Sequence, residues 1–547
     1  MRNSWKRAAV CLIGALAFGC GSDSKSTDGG GGGASSTSGG SGSEAGATTQ
    51  GGSSANGGST AATQGGSGGI GGSGTGNGGA STGGASSAVG AFRYGFNAGY
   101  PNPAFNDQDL AGLGVRSGVT SQRVSLPEQH LDKWGYEIEL SDVKGYRALG
   151  MGELVGFLTS PTRAHSSAPT SATDDQVGFY IPKNLYEPIV GSDGKVNPDN
   201  YWANYVFRAV STYGEWIKVW EVWNEPDWVA DWQTTLGWTT SAPTAAQLPR
   251  FNGSVFDYVR MLRVSQVAAR LADPKAKIAT GGLGYASFLD AVLRYTDEPT
   301  QGKIDGDHPS TGAGYIDVLS FHHYPIYTTG NSEAGVDGFL KQQQTFAALV
   351  NKAGISVGWE CTETGAPHVA LTGVPSGPDY AKNYLMKAMT LAQSVGIGGV
   401  HWFNLADGKA AGASTDPYAF MGLYMPVGSL SKASDATLND SGVAYATLTQ
   451  LLRDARYDAD SSAAVSLPAT ARGAVFSKGD GKRVFVLWAV PTAGSESGSA
   501  ELDLGVDGAL NMHTWDFSKT QKSQAVTVTG GFAHVVLEAT PRLFVEP

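Results

Sequence analysis

Two glutamates carry the most specific chemistry in this chain. Glu225 ends the run Ile217 to Trp223, which is dense in β-branched and aromatic residues, and Asn224-Glu225-Pro226 stops the run because proline cannot donate to a strand ladder. Glu363 closes a second such run and is followed by Thr364-Gly365-Ala366-Pro367. Carboxylates at two strand ends, 138 positions apart (363 minus 225), are a pair that could put a proton donor and an anion on either side of an acetal carbon. Each also has a plainer reading. Asn-Glu-Pro by itself makes a turn, and Glu360 competes with Glu363 for the second position. On a regular strand residues three apart point to opposite faces, so only one of the two should enter a site. The strand-end position favours Glu363, although a bulge there would upset the count.

A pair of this kind needs a frame that gathers distant strand ends. From about Phe92 onward, apolar runs alternate with helical patterns. The strand candidates are Tyr94 to Asn97, Ser121 to Ser125, Gly152 to Leu158, Ile217 to Trp223, Lys277 to Gly281, Val318 to His322, Ser356 to Thr362 and Gly399 to Asn404. Between the last two, Tyr380, Tyr384, Ala388, Leu391 and Val395 recur at helical spacing, with Pro378 at the start. Eight strand–helix units predict an α/β fold, a (β/α)8 TIM barrel over residues 91–457, in which strand carboxyl ends form the working rim. A doubly wound open sheet is the fallback, but Gly95-Phe96-Asn97-Ala98-Gly99 is no phosphate-binding turn. After Asp458 the texture becomes short alternating runs, such as Gly473 to Ser477 and Arg483 to Val490 around Lys478-Gly479-Asp480-Gly481. Residues 458–547 therefore read as a small antiparallel β-sandwich domain.

The amino-terminal stretch concerns location. Arg2, Lys6 and Arg7 precede a short apolar core, Ala8 to Phe18, as in an export signal spanning 1–20. Ala17-Phe18-Gly19-Cys20 resembles a bacterial lipobox, which implies acylation at Cys20 and a membrane contact through that lipid; an ordinary cleaved signal is the alternative. Residues 21–90 are Gly, Ser, Thr and Ala almost without large apolar groups, too little to offset chain entropy, and read as a disordered tether spanning about 45–50 Å root-mean-square. Cys361 is the one cysteine after residue 20, so no internal disulfide is expected in the exported part. The net charge of -11, without a basic cluster, argues against nucleic-acid binding. No metal-ligand spacing and no nucleotide or flavin motif is present, so no cofactor is expected.

The stretch Trp220-Glu221-Val222-Trp223-Asn224-Glu225-Pro226, together with Thr362-Glu363-Thr364-Gly365, resembles the clan A glycoside hydrolases, with wording similar to the β-xylosidase and α-iduronidase type. That resemblance implies a retaining (β/α)8 enzyme, Glu225 as acid/base and Glu363 as nucleophile. Ser320-Phe321-His322-His323-Tyr324-Pro325 matches the clan's His-x-Tyr pattern. It implies that Tyr324 bonds the nucleophile and that His322 lines the sugar site; a satisfied histidine pair in a turn is the plainer reading. Arg123 corresponds to a rim arginine that supports the nucleophile, though a lone arginine is equally often a structural ion pair. Trp402 fits the aromatic floor beneath the sugar, or else a barrel-core tryptophan.

From this follow expectations about charge. Glu225 should be held protonated by an apolar setting or by the neighbouring Glu363 charge, and Glu363 should be ionised beside Arg123 and Tyr324. Asn224 offers an amide to a sugar 2-hydroxyl, and a carboxyl separation of about 5 to 5.5 Å is expected for a covalent route with retention. Of Tyr100, Trp223, Trp228, Trp232, Trp238, Tyr324 and Tyr327, two or three should be sugar platforms. The long connection from Thr159 to Asn200 should shape specificity. The expected partner is a β-linked poly- or oligosaccharide, cleaved by an exported enzyme. A surface carbohydrate-binding protein without turnover and a transglycosylase remain as alternatives on the same fold.

Overall fold

The computed structural model describes residues 91–547 apart from positions 100 and 507. The export signal, Cys20, the Gly/Ser tract and Tyr100 lie outside the described residues. Eight parallel strands close into a barrel in chain order: β1 (Arg93–Asn97), β2 (Ser121–Ser125), β3 (Leu154–Leu158), β4 (Ile217–Val222), β5 (Lys277–Ala279), β6 (Val318–His323), β7 (Gly358–Thr364) and β8 (Gly399–Phe403). Closure is made by β1 pairing with β8, Arg93 opposite Gly399 and Asn97 opposite Phe403. Strands β3, β6 and β8 are buried along their whole length, as expected where one face fills the barrel and the other lies under helices.

The helical layer comprises α1 (Asp107–Arg116), α2 (Glu128–Trp134), α3 (Leu140–Ala148), α4 (Tyr201–Tyr213), α5 (Val255–Ala272), α6 (Ala286–Arg294), α7 (Ser332–Lys352), α8 (Pro378–Ser394) and α9 (Asp440–Leu452). Their starts follow local chemistry. Ser254 and Asp257 form a reciprocal capping box on α5, Asn331 caps α7, and Pro378 occupies the first turn of α8, where its missing N–H costs nothing.

Beyond the barrel, a six-stranded sheet runs in the order β14 (Ser523–Val526), β13 (Leu510–His513), β17 (Arg542–Val545), β11 (Arg483–Ala489), β10 (Ala471–Lys478), β9 (Ala455–Tyr457). A three-stranded sheet, β12 (Ser499–Gly505), β16 (Phe532–Glu538), β15 (Val528–Thr529), packs against it. The period-two alternation of strands divides the larger sheet between two cores. Ala474, Phe476, Val484, Val486, Trp488 and Leu543 join the barrel's core, whereas Val475, Phe485, Leu487 and Phe544 face the smaller sheet. An ionic joint reinforces the first face: buried Glu333 on α7 meets Lys387 of α8 at 3.0 Å and Arg472 of β10 at 2.7 Å, and accepts the Trp488 indole N–H. The stretch Ala525 to Val528 is divided between β14 and β15 in different sheets, and β9, β13 and β17 are too short to stand out by alternation.

Candidate active site

The site is built on the carboxyl ends of β2, β4, β6, β7 and β8. On β4, Val219 and Glu221 face the barrel interior, and the chain then turns sharply. Trp223 and Glu225 both hold positive φ, +73° and +46°, an uncommon conformation for residues with a Cβ. The Glu225 N–H donates to the Gly281 carbonyl at 2.6 Å, and the Trp223 indole swings outward to donate to the Arg250 carbonyl at 2.9 Å. The neighbouring strand permits this path because it ends in two glycines. A Cβ on Gly281 would lie 2.4 Å from the Val222 carbonyl, and one on Gly282 would lie 2.1 Å from His322 Nε2.

Strand β7 departs from regular alternation. The register against β6 slips between Phe321 and His322, so Cys361 faces Phe321 while Glu363 faces His322. This bulge corrects the parity expectation: Glu360 and Glu363 both enter the barrel, at different depths. Glu360 is buried at the barrel floor, opposite Gly399, and pairs with Arg93. Glu363 reaches the upper rim.

Around Glu363 the polar contacts are dense. Arg123 Nη1 lies 2.6 Å from Oε1, and the Tyr324 hydroxyl donates to Oε2 at 2.6 Å. Arg123 also pairs through Nε with Glu221 and donates from Nη2 to the Asn224 carbonyl oxygen at 2.9 Å, so the Asn224 amide N–H groups are those left for a bound hydroxyl. Beneath, Ser320 and Thr362 hydroxyls donate to Glu221 Oε1 at 2.6 and 2.7 Å. His322 bridges the two carboxylates: Nδ1 is 2.9 Å from Glu225 Oε1 and 3.6 Å from Glu363 Oε2, while Nε2 contacts Thr362 Oγ1 at 3.1 Å. A carboxylate oxygen of Glu225 and one of Glu363 lie within 4.8 Å of each other.

The electrostatics differ from expectation at Glu225. Burial works to raise its pKa, but the His322 hydrogen bond and charge, with Arg250 and Arg123, outweigh burial and hold the carboxyl below its usual range. Burial likewise works to lower the His322 imidazolium, and the Glu363 and Glu225 carboxylates prevail to hold it above its ordinary value. Two residues on, Asp227 is buried and accepts the Gly284 and Tyr285 N–H groups; burial first, and then the Glu225 charge, push its carboxyl up to about 7.

The aromatic residues also separate. Trp402 does not reach the rim: β8 turns Gly399, His401 and Phe403 inward, leaving Trp402 on the outer face, fully buried against Tyr384 of α8. Phe403 takes the inward position instead, edge-on to Tyr324 and Tyr418 at 6.0 and 6.1 Å. Trp223 and Trp238 are core residues, Trp232 and Tyr327 are exposed, and half-buried Trp228 lies under the Arg250 guanidinium at 4.2 Å. A cavity of about 130 Å³ opens beside Glu363, Arg123, Asn224 and Phe403 and extends past Asn97 toward Gln122. Three contributors escaped sequence reading: Glu221, Arg250 and Phe403. For Glu221 a signal existed, since it shares the inward parity of Val219 on a strand two places round the barrel from the one that carries Arg123. Arg250 lies in a loop remote from every motif.

The site thus belongs to a closed (β/α)8 barrel with a carboxylate pair at the carboxyl rim. No family model matches the chain, and no curated protein matches it. Among solved structures, it is similar to a family 39 glycoside hydrolase from the gut symbiont Bacteroides cellulosilyticus WH2, at 16% identity and TM-score 0.53 over 83% of this chain and 81% of that one. It is also similar to a family 30 subfamily 8 xylanase from Clostridium acetobutylicum (15%, TM-score 0.48, 83% and 97% covered) and to an α-L-arabinofuranosidase from Thermotoga maritima (10%, TM-score 0.49, 84% and 96% covered). The first of these likenesses, at 16% identity, establishes a shared fold.

Proposed function

We propose that this protein is a glycoside hydrolase that cleaves a β-linked glycan by double displacement. The observation that carries the reading is the spacing of Glu225 and Glu363, whose nearest carboxylate oxygens fall within 4.8 Å across His322. A pair this close suits a covalent route at about 5–5.5 Å and leaves no room for the water that inversion requires. In the first step Glu363 attacks the anomeric carbon, the glycosidic C–O bond breaks, and Glu225 delivers its proton to the leaving oxygen. In the second, Glu225 takes a proton from water, whose oxygen displaces Glu363 and frees the sugar with its configuration retained. Arg123 and Tyr324 suit Glu363 to the anionic role, the Asn224 amide suits a sugar 2-hydroxyl, and Phe403 with Tyr324 and Tyr418 offers an aromatic wall. The signal-like start, Cys20 and the Gly/Ser tract support an exported enzyme tethered by a lipid.

The test is hydrolysis of a panel of β-linked glycans and aryl β-glycosides by residues 91–547, beside Glu363→Gln and Glu225→Gln. Cleavage of one substrate class with retention, and loss of several orders of magnitude in both variants, is the expected result. Glycan binding without cleavage by the unaltered protein would move the assignment to a carbohydrate-binding protein. For the tether, the full chain should partition into detergent and Cys20→Ala should not.

A further inference from the structure

The mechanism asks Glu225 to be an acid, yet the protein surrounds it with cations. Arg250 Nη1 sits 2.7 Å from Glu225 Oε2 while His322 holds the other oxygen. Among the described residues, Glu225 is the one carboxylate with which Arg250 pairs. The arginine is also carefully placed. Its carbonyl is pinned by the Trp223 indole, its guanidinium carbon lies over the Trp228 ring, 4.2 Å from the centroid, and its side chain is only 12% exposed. Such a fixed, stacked guanidinium presents a planar fork of donors matched to a second oxyanion. Because Glu225 protonates the leaving oxygen, whatever stands beside it on the strand-four loop is the leaving-group sugar.

We infer that Arg250 and Trp228 form a leaving-group subsite for a sugar bearing an oxyanion, a carboxylate or a sulfate ester, and that this group draws Arg250 away from Glu225 so that Glu225 can carry its proton. The inference rests on the double-displacement reading of Glu225 and Glu363. The other charges facing Glu225 are His322, Arg123, Glu363 and Asp227, and none of them lies on the strand-four loop beyond Asp227. The nearby phenols of Tyr285, Tyr324 and Tyr418 are pushed upward by burial first and stay neutral. Arg250 is therefore the cation whose withdrawal by a ligand can release the acid without disturbing the nucleophile. The same pairing suits the second step, when Glu225 must accept a proton and the anionic leaving sugar has departed.

The experiment uses disaccharides of the glycon that the hydrolysis panel identifies, with glucose, glucuronate or glucose 6-sulfate in the leaving position, on the full chain and its Arg250→Gln and Glu363→Gln variants. One nearby opposite charge moves a carboxyl by about 1 unit or more, so the unaltered protein should favour an anionic leaving sugar by about tenfold or more in kcat/KM. Arg250→Gln should erase that preference, and the alkaline limb of its pH profile on the glucose substrate should move upward, a change that a merely structural role would not produce. Preference for glucuronate alone or sulfate alone identifies the oxyanion. Equal rates on all three, or an unmoved alkaline limb in Arg250→Gln, would overturn the inference. Full activity in Glu363→Gln would instead overturn the underlying mechanism. A second readout needs no turnover: carbon-13 titration of Glu225 with added glucuronate and glucose 6-sulfate should show its pKa rise in the unaltered protein and not in Arg250→Gln, and absence of any rise also overturns the inference.

Discussion

Replacing Arg123 by Met tests whether the site is an ionic lattice or a set of independent contacts. Arg123 is 7% exposed and binds Glu221, Glu363 and Asn224 at once. Glu221 is wholly buried, and without the arginine it keeps only the Ser320 and Thr362 hydroxyls. Breaking a buried pair by removing one partner costs about 3–5 kcal/mol, because the remaining charge has been desolvated without compensation. For a chain of this size that corresponds to a fall in Tm of roughly 3–5 °C. Adding Glu221→Gln should recover about 2 kcal/mol or more, since an amide can take the same hydroxyl donors without a charge to neutralise. Activity should stay lost in the double variant by about 100-fold or more, because Glu363 and Asn224 would still lack their common anchor. Thermal unfolding and kcat/KM on the parent, Arg123→Met, Glu221→Gln and the double variant separate the two effects. A single variant within about 1 kcal/mol of the parent, or a double variant no more stable than the single, would refute the lattice.

The protonation pattern gives a pH prediction for stability. Glu225 is depressed, so its contribution is present above the ordinary carboxyl range and is lost as pH falls through its folded value; His322 is raised, so its contribution is present below about 6.5 and is lost as pH rises through its folded value. Tm should therefore peak in mildly acidic solution, and His322→Gln should flatten the alkaline side of the curve. Gly282→Ala should leave the barrel folded yet cut activity about 10- to 100-fold, because φ is +66° there and the added Cβ would displace His322; unchanged kcat/KM would count against the close packing. Phe403→Ala should raise KM, whereas Trp402→Phe should lower Tm and leave KM alone, measured by kinetics and by thermal unfolding.

Much of the architecture was legible because each barrel strand is a local event. A parallel strand buried on both faces reads as an apolar run bounded by breakers, so Val318 to His322 and Gly399 to Asn404 could be placed within a residue or two of β6 and β8. The sandwich was less legible for a related reason. Ala455–Tyr457 and Arg542–Val545 are three and four residues long, and their places in the sheet are set by distant partners: β9 by β10, and β17 by β11 and β13. Nothing in so short a run distinguishes a strand from a loop.

The candidate site divides along the same line. Glu225, Glu363, Arg123, Asn224, His322 and Tyr324 all carry polar groups at strand ends, and the structure does bring them together. What failed were the expectations at Glu360 and Trp402, where the face a side chain takes had to be read from the strand alone. One residue of slippage between β6 and β7, beyond Glu360, puts Glu363 on the same inward face as Glu360, and one step along β8 exchanges Trp402 for Phe403. Charge is harder still. The state of Glu225 depends on His322 and on Arg250, 25 positions away in a loop held by the Trp223 indole and by its own turns, so a carboxyl expected to be protonated is gripped between an imidazole and a guanidinium that hold it below its usual range. Backbone periodicity is written in neighbouring residues, but the proton on a catalytic group belongs to the assembled field around it. For that reason the identity of the leaving-group sugar, which would itself alter that field, is the point at which substrate and mechanism become a single question.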